Sequence, residues 1–314
     1  MTGNSKRVVS ISLALLLLCM GASVEMSRKL EAERSGAELQ DVMYLPSARS
    51  VKALSLGYNG LLADLYWTRV VQYFGSHHHA HTTQYKLLAP LLDITTELDP
   101  QLITAYEFGS IFLAQAPPEG AGDPRAAAKL VEKGIERNPT AWRLYYHLGY
   151  IQWMELHDSK LASESFQKGS EIPGALPWMK VMAAALAQHA GEYRTATYLW
   201  ANILNSTTDK YIRDNAEKRL RALKCDEEVR LLQEYITKFT DATGHPPTSW
   251  DEMLATGWIK RVPVDPVGKA FKLMNGRVQV ADPEKLPFIT RGLPPGKESN
   301  VLPKLPKQGE TRSE

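Results

Sequence analysis

The sequence predicts a mainly α-helical protein, a helix-turn-helix solenoid followed by a small α+β module and preceded by an N-terminal transmembrane or signal helix. Three observations predict it. An uncharged apolar run fills residues 8–24. A helix-pair pattern recurs roughly every 34 residues between positions 84 and 205. A stretch after Gly244, punctuated by Gly and Pro, carries the turn residues of a β-hairpin.

Composition narrows the function classes. The 314 residues are 44% hydrophobic and 23% charged, as in ordinary globular proteins. Lys+Arg 37 against Asp+Glu 35 leaves a formal charge of +2, so no basic surplus points to nucleic acid. The two cysteines, Cys19 inside the apolar run and Cys225, make no disulfide framework. The chain has no Gly-rich phosphate loop, no His-Glu-x-x-His, no Gly-x-Ser-x-Gly and no paired-cysteine motif, so neither an enzyme nor a cofactor is expected.

Residues 1–25 form the membrane-targeting segment. Lys6 and Arg7 precede the 8–24 run, whose core from Leu13 to Met20 is unbroken. A spanning helix needs about 17–25 apolar residues, while a secretory signal has a shorter core and a small-residue exit, for which Gly21-Ala22-Ser23 qualifies. An uncleaved single-pass anchor and a cleaved signal both fit. The cations before the run place the N-terminus in the cytoplasm and the bulk of the chain outside it, on the periplasmic side, although Arg28 and Lys29 beyond the run oppose that orientation. Residues 26–50 are polar and read as a stalk.

Helical repeats are expected over 51–223. Leu54, Tyr58, Leu61 and Leu65 recur at 4, 3 and 4, while Trp67, Val71 and Phe74 lie on another face, which predicts a buried helix. Prolines follow polar residues at Asp99-Pro100 and Asn138-Pro139, and Pro173 follows Glu171 by two. After each comes a helix with a small residue two to three turns on, at Phe108-Gly109, Leu148-Gly149 and Ala183-Ala184. Each is answered by a second helix with Ala127, Ala162 or Ala196, and one turn later Val131, Phe166 or Trp200. Small residues let two helices touch, and the large residue fills the space beside the contact. This pattern resembles the tetratricopeptide repeat (TPR) family, with an insertion at 114–124 and Ala184 where glycine is common. The resemblance implies a concave groove lined by the first helix of each pair, here by Tyr106, Arg143, Tyr146, Tyr150, Trp153 and Trp178, an aromatic surface suited to other proteins or peptides.

Residues 224–281 have a separate grammar. The spacings of Ile212, Ala216, Leu220 and Leu223, then of Val229, Leu232, Ile236 and Phe239, predict two helices separated near Cys225-Asp226. Ser249 with Glu252 is a capping box, and Asn275-Gly276 predicts a hairpin. The order Gly244, Pro246-Pro247-Thr248, Leu254, Gly257, Ile259, Pro263, Asp265-Pro266 and Gly268 resembles the C-terminal half of the major pseudopilins of type II secretion and of type IV pilus subunits. Pilin processing and calcium-loop signatures are absent, which argues against a polymerising subunit. Residues 282–314 are Pro-rich and predicted to be disordered.

The expected function is a membrane-tethered TPR scaffold for protein–protein interaction, in assembly of a pilus or secretion-type envelope complex. Two alternatives are a metal-dependent hydrolase using His77 and His81 at a helical i, i+4 spacing, and a cytoplasmic TPR adaptor.

Overall fold

The computed structural model describes residues 45–81 and 83–302, with isolated positions between 16 and 25. The expected N-terminal membrane segment, most of the stalk and residues 303–314 of the tail lie outside the described residues. Among the described residues the protein is mainly helical, with eleven α-helices and a two-stranded sheet, and no helix there is long and apolar enough to cross a membrane. The chain divides into two compact units, residues 1–105 with 115–122, and residues 106–114 with 123–314.

In the first unit, α1 (Ala48–Leu54), α2 (Asn59–His79) and α3 (Leu88–Leu98) pack with α3 against both others. The Ser47 hydroxyl starts α1 by accepting from the Ser50 amide, so the fold begins slightly before residue 51. Ala48, Val51, Ala63, Ile94 and Leu98 form the core, with Leu45, Leu62 and Tyr66 packed against it. Inside α3, the buried Thr95 and Thr96 hydroxyls donate to the carbonyls of Leu91 and Leu92, which satisfies both polar groups. The expectation of a buried helix fails for the Leu54, Tyr58, Leu61, Leu65 face, which is exposed. Only Ala63 and Val70 of α2 are buried. The insertion docks back on this unit where the Tyr85 hydroxyl donates to the Pro118 carbonyl at 2.6 Å.

The second unit takes the larger part of α4 (Ile103–Ala114), then α5 (Pro124–Arg137), α6 (Trp142–Met154), α7 (Ser159–Ser170), α8 (Trp178–His189), α9 (Tyr193–Ser206) and α10 (Lys210–Thr243). Asp123, Asp158 and Asp209 cap α5, α7 and α10 through their carboxylates. From α5 to α10 each helix packs on the next, a solenoid-like order.

Small residues sit where helices meet. Ala127, Ala162 and Ala196 are fully buried, as are Val131, Phe166 and Trp200 one turn on. A Cβ added at Gly149 would come within 2.9 Å of the Phe166 ring. A Cβ added at Gly134 would come within 2.8 Å of the Tyr106 ring, and one at Gly169 within 2.6 Å of Tyr145 Cβ. Burying a large apolar side chain stabilises by roughly 1.5–3 kcal/mol, and these glycines let the rings in.

α10 is one continuous helix, which corrects the expected break at Cys225-Asp226. Its N-terminal half contributes Ala216 and Leu223 to the repeat core, and its C-terminal half contributes Cys225, Val229, Ile236 and Phe239 to the core of the C-terminal module. The apolar stripe changes phase because the packing partner changes, while the backbone stays helical. Gly244 ends the helix, and Ser249 starts α11 (Trp250–Ala255) by accepting from the Glu252 amide. Trp250 Nε1 donates to the buried Phe271 carbonyl at 2.7 Å. β1 (Lys272–Met274) and β2 (Arg277–Gln279) are antiparallel with Leu273 opposite Val278. Asn275 at φ 52 and Gly276 at φ 71 make the tight turn, as their residue types predict.

The expected disordered tail is corrected over 283–302. Leu286, Ile289 and Val301 are buried. The buried Asp226 carboxylate accepts from the amides of Thr290 and Arg291 and from the Thr290 hydroxyl at 2.8–2.9 Å. Gln188 Nε2 donates to the Phe288 carbonyl at 2.8 Å. The segment is a strap across α8, α9 and α10 of its own unit.

Candidate protein-binding site

α6 begins at Trp142, and its four-residue step places Trp142, Tyr146 and Tyr150 along one face. The start of α8 brings Trp178 against this face. Tyr146 is the hub, with its ring 5.6 Å from Tyr150 and 5.6 Å, edge-on, from Trp178. Below lies the fully buried Phe166, 6.2 Å from Tyr146 and 5.8 Å from Trp178. Tyr150 also meets Trp153 edge-on at 5.8 Å. These separations suit tilted and edge-to-face ring pairing, so the aromatic set is held rigid from beneath.

The six residues expected to line a groove divide. Tyr150 is 39% exposed and Trp178 37%, Tyr146 is half-buried, and Arg143 is exposed with its guanidinium 5.2 Å from the Trp142 ring. Tyr106 is fully buried against Gly134 and Trp153 is buried on the inner side of α6, so these two rings pack the interior and offer no open surface. The accessible set is therefore Arg143, Tyr150 and Trp178 together with the half-buried Tyr146. Sequence reasoning placed Phe166 at the helix contact beneath this face and missed Trp142. The signal for Trp142 was present, since it precedes Tyr146 by one helical step.

The electrostatics are those of a partly dry surface. Burial pushes the Tyr146 hydroxyl above the ordinary tyrosine range, with nearby Tyr150 adding to it. Burial pulls His147, edge-on to Tyr146 at 5.2 Å, below the ordinary histidine value. Glu107 is pushed up by burial, and the Arg143 charge only partly offsets this. The surface thus offers one exposed cation, two exposed rings and a half-buried hydroxyl, groups able to take apolar and hydrogen-bonding contacts.

The histidine cluster takes another form from the one expected. α2 ends at His79 and the backbone turns left-handed at His81 (φ 49), so His77 and His81 do not share one helical face. His77 Nδ1 lies 2.9 Å from the Tyr73 carbonyl, and its ring is tilted against that of Tyr73 with the centroids 4.0 Å apart. Among the described residues no three His, Cys, Asp or Glu side chains are grouped to hold a metal ion. Asp265 organises its turn by accepting from the amides of Val267 and Lys269.

No family model, curated protein or solved structure matches the chain.

Proposed function

We propose that the chain is a membrane-tethered TPR-type scaffold that binds an extended segment of a partner protein across Tyr146, Tyr150 and Trp178, with Arg143 engaging carbonyl or carboxylate groups of that segment. The single observation that carries this reading is the exposure of Tyr150 and Trp178 at 39% and 37% while both remain braced against Tyr146. Rigid, half-exposed aromatics next to an arginine are the side chains that dominate protein interfaces.

The resemblance of residues 224–281 to pseudopilins supports an envelope machine of the pilus or secretion type as the setting, and the 8–24 run supports a bulk held outside the cytoplasm. A photo-crosslinking residue at Tyr150, expressed in native membranes, is expected to capture a discrete partner, and one at Tyr198 is not. Equal labelling from both positions contradicts the reading. A C-terminal reporter active only outside the cytoplasm tests the topology.

A further inference from the structure

The end of α1, the turn that follows it and the first half of α2 carry an apolar surface that the core does not use. Leu54 is 76% exposed, Leu56 87%, Tyr58 69%, Leu61 60% and Leu65 57%. Ala53, Gly57 and Gly60 lie exposed among them. The opposite side of the same helix closes the core through Ala63, Leu62 and Tyr66, so the helix is held from behind and presents the stripe outward. Five large apolar side chains exposed together mark a contact surface.

Its surroundings indicate the partner. Arg69 is exposed one turn beyond Leu65 and Arg49 one turn before Ala53, while Asp64 is the acidic group on the stripe's edge. Lys52, facing α3, is engaged with Glu97 at 3.3 Å. A leucine and tyrosine stripe with cations at both ends matches the boundary between acyl chains and anionic headgroups. Leu45, which packs on the core side of this helix, follows the 8–24 run after residues 25–44. That connection spans at most about 70 Å.

We infer that the Leu54–Leu65 face lies in the headgroup–acyl boundary of an anionic phospholipid bilayer, as a second attachment beside the apolar run; this rests on the membrane tether proposed above. The two contacts together hold the first unit at the surface, as paired weak membrane signals do.

The test uses the full chain with Cys19→Ser and either Leu61→Cys or, as control, Tyr211→Cys, labelled with an environment-sensitive maleimide dye. Cys225 stays unlabelled because it is buried and its thiol is pushed up to about 12. The protein is reconstituted into phosphatidylethanolamine–phosphatidylglycerol vesicles with or without acyl chains brominated near the headgroup. Dye at position 61 is expected to be quenched about twofold or more by the brominated lipid, and dye at 211 to be unaffected. Vesicle flotation without quenching at 61 overturns the inference and leaves the tether standing. A blue-shifted dye at 61 that ignores brominated lipid shows the stripe covered by a second copy or by residues 8–24, which also overturns it. Failure to float overturns the tether, and the inference with it.

Discussion

The guanidinium of Arg219 lies 4.0 Å from the centroid of the Phe288 ring, joining the long helix to a strap 69 residues further along the chain. The same guanidinium lies over the Trp200 ring, 4.9 Å from its centroid. Its hydrogen bonds go to neutral amides, Asn215 Oδ1 at 3.2 Å and Gln188 Oε1 at 3.5 Å. Burial accordingly lowers its pKa to about 10. Two aromatic faces hold this buried cation where a carboxylate would be usual.

Phe288 adopts φ 74, a region that L side chains rarely occupy, so the ring contact must offset local strain. Phe288→Leu keeps an apolar side chain but removes the π face, and is expected to cost about 0.5–2 kcal/mol. Arg219→Met, which removes the buried charge and keeps the stem, is expected to stay within about 1 kcal/mol of the wild type or exceed it. Urea unfolding of both variants checks the pair. A large loss for Arg219→Met with none for Phe288→Leu contradicts this account of the strap.

Helix contact at Gly149 gives a second expectation. A methyl there meets the Phe166 ring at 2.9 Å, whereas one at Gly75 in α2 meets nothing within 4 Å. Gly149→Ala is expected to destabilise by about 1–3 kcal/mol through overpacking. Gly75→Ala is expected to be neutral or to stabilise by up to about 1 kcal/mol through helix propensity. Thermal melts of the two variants decide it, and equal shifts refute the close-contact assignment.

The pH dependence at His147 has a definite sign. Burial lowers its folded pKa below the ordinary 6.5. The unfolded chain therefore takes up a proton near that value while the folded chain resists. The contribution of His147 to stability is fully present above 6.5 and is lost as pH falls through it toward the folded value. His147→Gln is expected to lose less stability than the wild type between about pH 7.5 and 5.5. Parallel stability curves contradict the assignment.

The close helix contacts were legible in the sequence because such contacts admit few residue types, so Ala127, Ala162, Ala196 and Gly149 announce themselves. The hairpin was legible through Asn275-Gly276 for a related reason. The continuity of α10 was not, since a phase change in the apolar stripe can mean a break or a change of partner, and only the partners tell which. The strap was hidden because what orders it is distant. Asp226 and Gln188 reach Thr290 and Phe288 from 64 and 100 residues away, and composition registers only the prolines. In the candidate site the aromatic residues could be named, yet which rings face water depends on glycine contacts such as Gly134 beneath Tyr106. The exposed stripe on α2 has the spacing of a buried one, and periodicity alone does not say which side of a helix meets the core.

The most direct test of the central claim is the Tyr150→Ala, Trp178→Ala double variant, assayed at once for unfolding free energy and for partner capture from a crosslinker at Tyr146. Both rings are more than a third exposed, so stability is expected to fall by no more than about 1–2 kcal/mol while capture is lost. A folded double variant that captures the partner as well as the parent protein contradicts the account.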